Sequence, residues 1–271
     1  MNNLTPFDQP GKSMRPVRLT ERASLFGMPA RHLPAAEQQG LLAQMRRDSD
    51  LPELEACRLW IYEVVPPFYR DYKLYHIFNL DAPQPEVTRL LYKPGSLHEL
   101  DSTNEPIYTV NELAPVRIHQ ATVLPYLRFF FGSVCARLGG FRVVETAADV
   151  PWLAGATAQE RKLVESHIRP MSVASVDTQG LYRVPATVLF MRSLFTVDLM
   201  VASREGPVID YGENSVEHLT IGQVAMHNEE LLSGDLNVRD FSLQGRVRNA
   251  FHEASEPPEE ALPETDQRWM N

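Results

Sequence analysis

The chain has 271 residues, 44% hydrophobic and 23% charged, with a formal net charge of −9. Such a length and balance fit a globular protein that buries a substantial core, and the acidic charge argues against general affinity for nucleic acid or an anionic membrane. Two cysteines, Cys57 and Cys135, are too few and too distant for a disulfide framework and read as buried free thiols inside helices.

Residues 1–18 carry Pro6, Pro10 and Pro16 among polar residues and read as a mobile arm. They lack the apolar core of a signal peptide. The most apolar run, Thr187–Ala202, is interrupted by Arg192 and Asp198 and is too short to span a membrane. A cytoplasmic location without membrane association is the expectation.

Residues 19–80 read as a helical N-terminal part. Ala35–Arg47 follows Pro34, groups Leu41, Leu42 and Met45 on one side, and ends on Arg46 and Arg47, which suit a helix C-terminus. The spacing of Leu54, Cys57, Ile61 and Val64 predicts a second helix over Pro52–Val65, stopped by Pro66-Pro67. Phe68–Leu80 is aromatic-rich. The steps Tyr72, Tyr75, Phe78 favour a short helix over a strand from Tyr72 to Phe78, and these aromatics read as core packing rather than a ligand box.

Residues 81–115, with five prolines, read as an irregular connection. It holds a turn at Lys93-Pro94-Gly95-Ser96 and short extended pieces at Arg89–Tyr92 and Ile107–Val110.

Residues 116–254 read as the α+β domain. Val116–Leu138 is its long helix, with Pro125 kinking it or marking its start and Gly139-Gly140 ending it. Phe141–Glu145 is a strand, Thr157-Ala-Gln-Glu160 a capping box opening a helix, Met171–Val176 a strand and Asp177–Gly180 a turn. Three β-rich runs between Tyr182 and Val216 then predict an antiparallel meander, with Glu205-Gly206 as its second turn. Gln223–Ser233 and a segment from Asp240 to about Ala254 read as helices. Residues 255–271 form an acidic, proline-containing tail expected to be disordered. The order implies an α+β fold: N-terminal helices, then helices on one face of a curved, mainly antiparallel sheet, with a cone-like topology of the cystatin or nuclear-transport-factor type as the analogy.

No phosphate loop, nucleophile elbow or histidine metal motif is present, so no cofactor and no metal are expected. The sharpest local feature lies in the meander. A turn at Glu205-Gly206 would set Asp198 opposite Glu213 and Thr196 opposite Ser215 on one face, with Phe195, Val197, Leu199 and Val201 on the core face. Facing carboxylates raise one another's proton affinity, so Asp198 and Glu213 are the candidate acid and base, with Thr196, Tyr211, Ser215 and His218 as candidate ligand contacts. Asp210 would point to the core face opposite Val201. The reading that follows is a non-catalytic protein binding a partner or small ligand. The alternative is a hydrolase, lyase or isomerase acting on a small molecule.

Overall fold

The computed structural model describes residues 23–49, 58–81, 86–136, 139–210, 216–232 and 236–238. Among these residues it is a mixed α+β fold with four α-helices and antiparallel sheets. The first sheet has six strands in sequence order: β1 Ala23–Leu25, β2 Met28–His32, β3 Leu59–Val64, β4 Lys73–Asn79, β5 Glu86–Lys93 and β6 Ser96–Glu99. The first helix, α1 Ala35–Asp48, lies between β2 and β3 in the chain and forms where the sequence predicts it.

Among the described residues the N-terminal part thus forms strands of one sheet together with helix α1, rather than helices alone. Leu59–Val64 pairs along its full length with β4, while the rest of the predicted Pro52–Val65 helix lies at residues 52–57, outside the described residues. Its three- and four-residue apolar spacing is also met by a strand that is buried on both faces. Strand β4 forms where the aromatic steps favoured a helix. The residues on one side, Tyr75 and Ile77, pack with Leu42 and Met45 of α1. The other side, Leu74 and Phe78, enters the main core.

Residues 86–99 supply two strands joined at the predicted Lys93–Ser96 turn. Ile107–Val110, expected to be extended, lies inside helix α2, Glu105–Leu113, with Pro106 in its first turn. The long helix is shorter than predicted. It is α3, Val123–Ser133, and Pro125 marks its start, since a proline lacking its N–H is tolerated in a first turn. Cys135 is not helical: it lies on β7, Cys135–Ala136, paired with β8, Gly139–Gly140. After β9, Arg142–Val143, comes helix α4, Ala158–His167, whose Thr157 side chain accepts a hydrogen bond from the Glu160 N–H.

The second sheet has the order β10 Ser175–Val176, β11 Leu181–Phe190, β12 Ser193–Ala202, β15 Val224–Leu232, with β9 also paired to β11. The β11–β12 hairpin turns through Met191 and Arg192, both at positive φ. The third strand of the meander is not the predicted one. β13 Val208–Asp210 leaves the sheet and pairs with β14 Val216–His218. β15, predicted as a helix, takes its place beside β12. Long-range pairing with β12 overrides local propensity there.

Val197, Leu199 and Val201 belong to the same core as the inner face of the first sheet, α2 and α3. That core draws residues from Met28 to Val201 and so runs across the segment 81–115. The opposite face of the second sheet carries two smaller clusters, one with Val164 of α4 and Leu194, the other with Met200, Ile209 and Leu219. The predicted helix from Asp240 and the two chain ends lie outside the described residues.

Candidate functional site

Asp198 is half-buried on the second face of β12, opposite Pro185 of β11 and His227 of β15. It does not stand opposite Glu213, because β15 occupies the position the predicted turn assigned to the third strand. Thr196 is opposite Thr187 and Glu229 rather than Ser215. Tyr211, Glu213 and Ser215 lie outside the described residues. His218 is exposed at the end of β14, opposite Val208. Asp210 is opposite Val216, while Val201 faces Tyr182 and Val224. The carboxylate pairing inferred from a local turn is thus replaced by a carboxylate beside an imidazole, Asp198 and His227.

A second polar set is buried and closed. The Tyr69 hydroxyl donates to Asn111 Oδ1 at 2.7 Å, Asn111 Nδ2 donates to the Tyr126 hydroxyl at 3.0 Å, and Tyr126 donates to the Gly222 carbonyl at 2.6 Å. Burial pushes the proton affinity of both tyrosines up, so they stay neutral donors. Above this chain, Tyr108, Asn111, Glu112, Pro115, Glu205, Thr220 and Ile221 line a cleft of ≈ 130 Å³. Its buried polar floor is occupied by its own hydrogen bonds.

A third set has unmade hydrogen bonds. On the inner face of the first sheet, register places His32, Tyr62, His76 and Arg89 in one row across β2, β3, β4 and β5. Directly opposed residues on neighbouring strands lie side by side, so His76 and Arg89 are neighbours. His76 is 4% exposed, and its Nε2 has no partner. Burial, reinforced by the Arg89 charge, holds its pKa well below the ordinary value, so the imidazole is neutral.

Arg89 is half-buried. Its Nη1 donates to the Gly132 carbonyl at 2.9 Å, in the last turn of α3, where negative partial charge gathers. Its Nε is sealed from solvent without a partner. Among the described residues no carboxylate pairs with it. Burial lowers its pKa, though a guanidinium remains protonated. Beside Gly132, Ser133 is buried and its Oγ is likewise unpartnered.

The ring of Phe26 closes this region. It lies 5.4 Å from the His76 ring and 6.0 Å from Phe129, and the Arg89 guanidinium carbon stands 5.9 Å from its centroid. A Cβ on Gly132 would fall 2.1 Å from Phe26 Cε1, so only glycine leaves the notch that the ring fills. Phe26 and Gly27 form the β1–β2 turn with φ of 55° and 74°. Sequence reasoning missed this set. The alternation along β4 and β5 contains it, but the pairing of His76 with Arg89 is a matter of register.

Among the described residues no group of three or more His, Cys, Asp or Glu side chains is arranged to hold a metal ion. No helix there is long and apolar enough to cross a membrane. Comparisons with protein-family models, curated proteins and solved structures find no match to the chain.

Proposed function

We propose that this protein is a non-catalytic binding protein that receives a small ligand between the first sheet and the end of α3. The observation that supports this reading is a pair of unmade hydrogen bonds: His76 Nε2 and Arg89 Nε, on residues directly opposed across β4 and β5, are each buried without a partner beside the Phe26 ring. A buried polar atom left unpaired costs about 1–3 kcal/mol. Two on neighbouring residues are a persistent strain unless something else completes them. Elsewhere the buried polar chain from Tyr69 to Gly222 is complete, as a structural network would be.

The test is a thermal-shift screen with a panel of small acids, amines and neutral polar compounds. Compounds that stabilise the wild type are expected to stabilise Arg89→Gln and His76→Phe far less. Stabilisation by no compound, or equally in all three proteins, would refute the reading.

The rival proposal remains an enzyme acting on a small molecule at the second sheet, with Asp198 and Thr196. The observation that favours it is the opposition of Asp198 and His227, a carboxylate and an imidazole that can divide acid and base roles. Hydrolase, lyase or isomerase turnover lost in Asp198→Asn would establish it.

A further inference from the structure

The geometry points to a binding site for a small oxyanion, a carboxylate or phosphate group, at Arg89 and His76, with Phe26 as its cover. This rests on the ligand-binding reading above and adds the ligand's charge and the route by which it enters.

The charge follows from the donors. Arg89 brings a full positive charge with no carboxylate partner among the described residues, and only its Nη1 is engaged, on the Gly132 carbonyl. Its Nε–H is sealed from water. A guanidinium offers its donors as a planar fork that matches the oxygens of a carboxylate or phosphate. His76, in the tautomer that carries its proton on Nε2, adds an N–H without adding charge. Unpaired donors on neighbouring residues, with a single fixed cation among them, select an anion over a neutral or cationic ligand. A cation would meet Arg89 directly.

The route follows from Phe26. Its ring lies against both His76 and Arg89, and it fills the notch left by Gly132. It is held on a turn at φ 55°, where a residue with a Cβ is strained by about 1–2 kcal/mol. That positive φ is set by the two-residue β1–β2 turn, which holds the ring over the unmade hydrogen bonds. The turn is small, and among the described residues β1 is the outer strand of its sheet, so lifting the tip costs the pairing with β2 and the contact of the ring with Phe129. Arg128 lies against the same turn, its Cδ 3.2 Å from where a Gly27 Cβ would be, and is itself tied by two hydrogen bonds to Glu145. The turn therefore closes against a fixed wall.

The experiment is calorimetric titration of the full chain with sodium phosphate and, separately, sodium acetate, at constant ionic strength set with sodium chloride. Wild type, Phe26→Ala and Arg89→Gln are compared. Binding is expected in the wild type, several-fold tighter in Phe26→Ala, and weaker by about tenfold or more in Arg89→Gln. Whichever of the two salts binds assigns the headgroup as phosphate or carboxylate.

Equal affinity in Arg89→Gln would place the anion elsewhere and overturn the proposal. Anion binding lost in Arg89→Gln but unchanged in Phe26→Ala would remove the cover and keep the site. Binding of neutral compounds from the screen, with neither salt binding, would refute the anion while leaving the ligand-binding reading intact. Failure of every compound class would refute both. If Phe26→Ala does not fold, Phe26→Leu serves. If Arg89→Gln does not fold, the wild-type His76 ring resonances decide: movement with phosphate or acetate but not with chloride supports the site, and unmoved resonances overturn it.

Discussion

The Tyr126 hydroxyl donates to the carbonyl of Gly222, 96 residues further along the chain. This contact fastens the loop leading into β15 to α3, and so joins the second sheet to the helices that back the first. Gly222 has φ 76°, and a Cβ there would lie 2.6 Å from Asn111 Nδ2 and 2.7 Å from Val116 Cγ1. Gly222→Ala is therefore expected to destabilise by about 2 kcal/mol or more, from backbone strain and from forcing the buried network apart. Tyr126→Phe should cost about 1–3 kcal/mol by leaving the Gly222 carbonyl and Asn111 Nδ2 unpaired. Urea unfolding measures both, and a loss below about 0.5 kcal/mol in either would contradict this account.

Neighbouring residues of β12 should respond very differently to the same change. Val197 is 3% exposed and faces the main core, whereas Thr196 faces the other side and is half-buried. Val197→Asp places an unpaired carboxylate in that core, at a cost of several kcal/mol, and should unfold the protein. Thr196→Asp meets Glu229 on the neighbouring strand, a like-charge penalty of well under 1 kcal/mol on a partly solvated face. Equal melting temperatures for the two variants would mean the faces are misassigned.

His76 should make stability depend on pH. Its folded pKa is held well below the ordinary value by burial and by Arg89. The unfolded chain takes up a proton on this residue as pH falls through about 6.5, and the folded chain does not. The unfolded state is then favoured, and stability falls with pH by up to about 1.4 kcal/mol per unit. Above about pH 6.5 both states are neutral and the effect vanishes. The wild type should lose more stability between pH 7 and pH 5 than His76→Phe does, as read from urea midpoints. Identical losses would show that His76 takes up its proton in the folded protein.

Asp198 and His227 should be energetically coupled across β12 and β15. A double-mutant cycle with Asp198→Ala and His227→Ala is expected to give a coupling of about 0.2–1 kcal/mol at pH 6, decreasing in high salt. Zero coupling would mean that the two side chains do not interact, and would remove the support for the enzyme proposal.

Features set by neighbours within a few residues were legible in the sequence: helix α1, the Thr157 cap, the Lys93–Ser96 and Asp177–Gly180 turns, and the core face of β12. Capping, turn chemistry and two-residue alternation are local, so a single chain displays them. The strands β3 and β15 were not legible. Buried or edge segments of six to nine residues satisfy helical spacing as readily as they satisfy a strand, and only a partner strand decides. The Glu205-Gly206 signal was local too, but the chain there makes an excursion through β13 and β14, so Asp198 meets His227 rather than Glu213. The cluster of Phe26, His76, Arg89 and Gly132 belongs wholly to the tertiary structure. Its members come from a turn, two strands and the end of a helix, and they meet because sheet register and helix packing act over distances that no local pattern encodes.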